Sequence, residues 1–259
     1  MKRLLLFLAL CSLAPAQEIK LPTRGNFHLF LLVGQSNMAG RGVVEEQDKA
    51  PLPRVLMLGK DGLWTAAVDP MHFDKPSAGV GLGRSFAKVL TDREPGVTIG
   101  LIPCAVGGSP IDSWLPGVFY PPTKSHPWDD MVKRAVPPLS TGVLKGILWH
   151  QGESDCKPEL APAYEAKLHD LVRRFRELLK APQVPFIAGQ MGHFPDVPWT
   201  PEIETVDRAH QTLPEKVPGC AFVSSEGLNH KGDKIHFDSP AYRELGRRYA
   251  EAWLKLSRP

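Results

Sequence analysis

Residues Phe27 to Val33 (FHLFLLV) form a nearly unbroken apolar run, too short for a comfortable helix and bounded by Gly25 and Gly34. The pattern predicts a buried central strand. The chain must turn at once afterwards, because Gly34 allows a sharp change of direction. Ser36 falls in that turn, and Asn37, Met38 and Ala39 can begin a helix. A hydroxyl placed there faces the crevice at the carboxyl ends of the strands, where open α/β sheets hold their ligands. A Gly/Ser/Asn loop that merely caps a helix has the same composition, so the segment alone does not decide between the two.

Further along, strand-like and helix-like patterns alternate. Strands are predicted at Val55–Leu58, Val97–Ile102, Leu144–Trp149, Phe186–Gln190 and Ala221–Ser224. Helices are predicted at Gly83–Leu90, Trp128–Val136, Ala161–Leu179, Pro201–Gln211 and Ala241–Leu256. In the longest, Tyr164, Leu168, Leu171, Val172, Phe175 and Leu178 recur at three- and four-residue spacing, the stripe of an amphipathic helix. Such alternation predicts an α/β protein with a mostly parallel sheet of about five central strands, covered by helices on both faces.

Two further segments carry chemistry. Asp233-Lys-Ile-His236 lies just before Ser239-Pro240, an expected N-cap followed by proline at the first helical position. A carboxylate three residues before an imidazole on a turn can reach its near nitrogen and leave the far one for a serine, the arrangement that activates a hydroxyl at neutral pH. Asp-x-x-His also suits helix capping. In Val143–Asp155 (VLKGILWHQGESD), a strand opens into a loop holding His150, Gln151, Glu153, Ser154 and Asp155. Polar groups so dense at a strand end are expensive unless they serve a ligand or one another.

Together, GQSNMAGRG at 34–42, AVGGSPIDSW at 105–114, WHQGESD at 149–155 and DKIH at 233–236 resemble the SGNH hydrolases. The likeness is to the sialate O-acetylesterase-like and family-six carbohydrate esterases, which include acetylxylan esterases. The blocks occur in the family's order and span nearly all of the chain. The resemblance implies a flavodoxin-like three-layer α/β/α sandwich and a serine esterase that removes O-acetyl groups from carbohydrates through an acyl-enzyme. It implies Ser36 as nucleophile, His236 as general base and Asp233 as the residue orienting it, with Glu153 as an alternative acid. Of the two carboxylates, Asp233 is favoured. Ser36, Gly108 and Gln151 would form the oxyanion hole, glutamine replacing the superfamily's usual asparagine. Asn37, Arg41, His150 and Trp114 are candidate substrate-binding residues. Asn37 also suits a loop-holding Asx bond, and His150 suits packing beside Trp149. Trp114, Phe119, Tyr120 and Trp128 could stack on sugar rings or pack in the core.

Met1-Lys2-Arg3, the apolar LLLFLALCSLAP and the small residues at 14–16 predict a signal peptide cleaved after Ala16, hence a secreted or periplasmic single domain over residues 17–259. The apolar stretch is too short to span a bilayer, so no membrane association is expected after cleavage. Cys11 invites a lipoprotein reading, against which bulky Leu10 argues. The remaining cysteines, Cys104, Cys156 and Cys220, leave at least one free thiol; a Cys104–Cys156 bridge is open. Their spacing fits no zinc pattern, and no His-x-x-x-His pair occurs, so neither metal nor cofactor is expected. With a net charge of +3 and no basic stripe, no nucleic-acid partner is expected. Gly79-Val-Gly81-Leu-Gly83 lacks the preceding strand of a dinucleotide loop, and Met38 replaces the final glycine of an α/β-hydrolase elbow. Two other readings stand beside the esterase: a carbohydrate-binding module with a degenerate site, and a lipase or thioesterase of the wider superfamily. Nothing in the chain specifies an oligomeric state.

Overall fold

The computed structural model describes residues 19–257; the expected signal peptide and Cys11 lie outside them. Seven strands form one sheet: β1 (Phe27–Gly34), β2 (Val55–Leu58), β3 (Trp64–Ala66), β4 (Thr98–Pro103), β5 (Val143–His150), β6 (Phe186–Gly189) and β7 (Cys220–Val223). Their order is β3-β2-β4-β1-β5-β6-β7. Neighbours pair in parallel except at the β2–β3 edge. The helices are α1 (Ser36–Ala39), α2 (Glu46–Lys49), α3 (Gly83–Arg93), α4 (Pro127–Ala135), α5 (Tyr164–Leu178), α6 (Pro201–Lys216) and α7 (Ser239–Leu256).

Strand β1 takes the central place its apolar run predicts, with Leu31 opposite Ile102 on β4 and Ile147 on β5. Successive side chains point to opposite faces, so this one strand feeds two cores. Phe27, Leu29, Leu31 and Val33 enter a core with Met131 of α4, Leu171 and Phe175 of α5 and Leu213 of α6. Phe30 and Leu32 enter the other with Phe86 of α3 and Tyr249 and Trp253 of α7. Truncating a side chain such as Leu31 to alanine leaves a cavity costing about 2–5 kcal/mol.

The sheet is wider than the five strands expected. Three-residue β3, too short to leave a periodic signature, is the strand not expected, while β7, expected at Ala221–Ser224, forms the other edge. Helix α6 runs past the expected end at Gln211, through Pro214, to Lys216. Leu213, fully buried in that last turn, offsets the hydrogen bond the proline removes. Asp238, rather than Ser239, caps α7, its carboxylate accepting the Ala241 amide at 2.8 Å. The three described cysteines are free, so no Cys104–Cys156 bridge forms.

From β1 the chain passes to β2 and β4 on one side, then crosses to β5 on the other. That reversal leaves a crevice at the carboxyl ends of β1, β4 and β5, the switch point where such sheets hold ligands.

Candidate active site

Ser36 sits at this crevice because β1 stops abruptly. Gly34 has φ +131°, and a Cβ there would lie 2.2 Å from the His150 carbonyl oxygen, so only glycine lets β1 and β5 meet this closely. The next amide, Gln35, donates to that same oxygen at 2.9 Å. Ser36 then opens α1, where its own N–H has no intrahelical acceptor. The glycine run at 79–83 braces this turn, the Gly79 amide donating to Gly40 O at 3.1 Å.

Two hundred residues away in sequence, His236 reaches the same hydroxyl. Its Nε2 lies 2.9 Å from Ser36 Oγ, and its Nδ1 lies 2.7 Å from Asp233 Oδ2. The Asp233 Oδ1 atom accepts the amides of Ile235 at 3.1 Å and His236 at 2.8 Å, which fixes the carboxylate against its own loop. Partial burial pulls the Asp233 carboxyl up, but the amide and imidazole bonds outweigh it and bring its pKa down to about 2. At His236 burial is the largest influence and lowers the pKa; the Asp233 carboxylate opposes it, and the net stays below the ordinary value. The imidazole is therefore neutral at pH 7 and available to take a proton.

On the other wall, the segment after β4 is stitched to β1 by the Val106 amide, which donates to Gly34 O at 2.9 Å. Of the amides of Gly107, Gly108 and Ser109, the first donates to Asp74 Oδ2 at 2.8 Å and the last to Val106 O at 3.2 Å. The Gly108 N–H alone has no acceptor among the described residues. It is a free donor on the loop beside the Ser36 turn.

The structure joins Ser36, His236 and Asp233 by hydrogen bonds, sets Gly108 on the loop that Val106 ties to the start of the Ser36 turn, and revises the other expectations. Gln151 is fully buried and cannot serve an oxyanion. Its NH₂ donates to Ser109 O at 3.1 Å and Asp155 Oδ2 at 2.5 Å, while its carbonyl accepts the Tyr164 hydroxyl at 2.7 Å. Glu153 does not touch His236: its Oε1 accepts from Asn37 Nδ2 at 2.6 Å, and burial raises its carboxyl pKa. Asn37 is fully buried and spends its amide inside the protein, on Glu153, on Ile235 O at 3.1 Å and on the Tyr242 hydroxyl at 2.7 Å. It ties α1 to the histidine loop instead of meeting substrate. His150 is buried beneath the crevice beside Tyr249, and burial lowers its pKa to about 3. Trp114 packs edge-on against Trp149 in the core, and Trp128 packs near Phe175. Neither can stack on a sugar, whereas Phe119 is half exposed. Arg41 forms a buried pair with Asp74 at 2.7 Å, so its charge is already met.

Asp74 is the residue sequence reasoning passed over. It bridges Arg41 and the Gly107 amide, yet in the chain it lies in HFDKPSA, which has neither periodicity nor a motif. Among the described residues no group of three His, Cys, Asp or Glu side chains could hold a metal ion.

Comparison with known proteins gives concordant matches. The family described as carbohydrate esterase, sialic acid-specific acetylesterase matches residues 26–255. A probable carbohydrate esterase of Arabidopsis thaliana is 33% identical over 271 residues, spanning 94% of this chain and 97% of its own. The X-ray structure of that plant protein superposes with a TM-score of 0.78 at 32% identity, over 90% of this chain and 99% of that one. A carbohydrate acetylesterase of Xanthomonas citri matches with a TM-score of 0.69 at 20% identity, over 90% of this chain and 57% of the other. An acetyl xylan esterase of Geobacillus stearothermophilus matches with a TM-score of 0.53 at 15% identity, over 90% and 95%. The last two show the shared α/β fold alone.

Proposed function

The chain belongs to the sialic acid-specific acetylesterase family of carbohydrate esterases, which makes it a carboxylic ester hydrolase, and from that premise we propose that it removes O-acetyl groups from a carbohydrate through an acyl-enzyme on Ser36. The observation carrying this reading is the continuous relay from Asp233 through His236 to Ser36, with contacts of 2.7 and 2.9 Å.

Neutral His236 takes the Ser36 proton as Oγ bonds to the acetyl carbon, and Asp233, ionised across the neutral range, stabilises the imidazolium that results. The carbonyl oxygen, now negative, is met by the N–H groups of Ser36 and Gly108. Collapse breaks the bond to the sugar oxygen, which leaves with the proton from His236. Water then attacks the acetyl-serine, giving its proton to the same imidazole, and acetate departs as Ser36 regains its hydrogen. An oxyanion donor of this kind supplies about 3 kcal/mol of barrier lowering.

Acetyl is the favoured acyl group because the family acts on acetylated sugars and the sequence supplies no long apolar lid. The test is acetate release from a panel of O-acetylated glycans, beside p-nitrophenyl acetate and octanoate. Strong preference for acetate is expected; equal or faster cleavage of octanoate favours the lipase reading. Binding of acetylated glycan with no acetate released by the wild type favours a binding module.

A further inference from the structure

Resting on the reading of Gly108 as an oxyanion donor, we infer that Tyr120 and Ser154 are positioning residues that aim the Gly108 amide by gripping the carbonyl of the same residue from two sides. The Gly108 oxygen accepts from the Tyr120 hydroxyl at 2.6 Å and from Ser154 Oγ at 2.8 Å. A carbonyl has two lone pairs, and two short bonds occupy both. The grip matters because Gly108 sits at φ +82°, where glycine is free to move and little else holds it.

The neighbouring groups are tied as well. Before Gly108, the Gly107 amide is held by Asp74. After it, Ser109 O accepts from Gln151 and the Ile111 amide donates to Asp155 Oδ2 at 2.9 Å. Gln151, Ser154 and Asp155 all belong to the polar loop after β5, so that loop acts as a clamp on the segment after β4. The Tyr120 hydroxyl comes from a different direction, from a turn closed by the Tyr120 amide on Ser125 O at 2.8 Å. Burial raises the Tyr120 phenol above its ordinary pKa, which keeps it a donor over the working range. The Gly108 N–H belongs to the Gly107–Gly108 peptide, which lies between the amide that Asp74 holds and the carbonyl that Tyr120 and Ser154 hold. Anchoring both flanks restricts how far that peptide can rotate and so aims its N–H, and donors oriented before the reaction need no reorganisation during it.

The test compares Tyr120→Phe, Ser154→Ala, their double variant and Ser154→Thr on p-nitrophenyl acetate. Each protein is also assayed for inhibition by an alkylboronic acid, whose serine adduct mimics the tetrahedral intermediate, and for its melting temperature. We expect kcat to fall about tenfold in each single variant and about a hundredfold in the double, one hydrogen bond's worth each. KM should change less than about twofold, boronate affinity should fall in parallel with kcat/KM, and Ser154→Thr should recover most of the loss. Wild-type kcat and boronate affinity in the double variant would overturn the inference. Losses confined to KM, or losses that only follow a collapse in melting temperature, would overturn it too. A wild-type enzyme inactive on every acetyl ester strikes instead at the esterase reading.

Discussion

The two loops that meet over Ser36 are built in opposite ways. The segment from His230 to Phe237 is exposed along Lys231–Ile235 and is closed by a short antiparallel bridge between His230 and Phe237. Asp233 folds it onto itself, Asn37 ties it to α1 through Ile235 O, and buried Phe237 anchors it. The segment from Ala105 to Ile111 is largely buried, and side chains of Asp74, Tyr120, Gln151, Ser154 and Asp155 hold its backbone. The contrast follows from what each delivers. A proton crosses any well-formed hydrogen bond between Oγ and Nε2, so a base tolerates a lightly held loop. A developing oxyanion must find donors already in place. Gln151, Ser154 and Asp155 after β5 therefore serve the rigid loop, while the exposed one organises itself around Asp233 and is tied to α1 through Asn37, which Glu153 holds.

Several substitutions set the two loops against each other. Removing the base should do the most damage: His236→Ala should lower kcat/KM by about ten-thousandfold or more, measured as acetate release, since the members of such a relay act as a unit. Asp233→Asn should cost about a hundredfold to ten-thousandfold. It should also move the pH profile in a defined direction. In the wild type, kcat/KM should rise with pH through a His236 pKa below its ordinary value and then level off, because the base works only when neutral. The Asp233 carboxylate raises that pKa, so its loss should shift the acidic limb to still lower pH. A limb moving upward would contradict the assignment.

The rigid loop is probed by Gly108→Ala. Alanine at φ +82° is strained, and its Cβ would sit 3.1 Å from the Tyr120 hydroxyl. The amide should swing away, lowering kcat about a hundredfold with KM little changed; equal kcat would remove Gly108 from the oxyanion site. The smallest effect belongs to Glu153→Gln. Glutamine still offers Asn37 a carbonyl, so turnover should fall less than about tenfold. A loss exceeding that of Asp233→Asn would make Glu153 the triad acid.

Much of this was legible in the chain for identifiable reasons. Phe27–Val33 announces β1 because a strand at the centre of a parallel sheet is buried on both faces, and burial writes itself as an apolar run. Asp233 and His236 are readable because their contact is local, three residues apart on one turn. Gln151 was not, because composition gives its donor capacity and not which acceptors the fold places beside it. Ser109 O and Asp155 arrive first, and the amide is spent. His150 and Trp114 fail as substrate contacts for a related reason: a polar or aromatic residue in a motif looks the same whether it lines the crevice or supports it from below. Asp74 is invisible to any local pattern, since its partners Arg41 and Gly107 lie 33 residues away on either side.

The most direct test is covalent capture of the nucleophile. The protein is treated with a fluorophosphonate ester, digested, and the modified peptide located by mass spectrometry while residual acetate release is followed. A serine activated by His236 should give a single adduct on Ser36, activity should fall in proportion to the label, and Ser36→Ala should neither label nor turn over. Stoichiometric labelling of another residue, or acetate release by Ser36→Ala at the wild-type rate, would contradict the account.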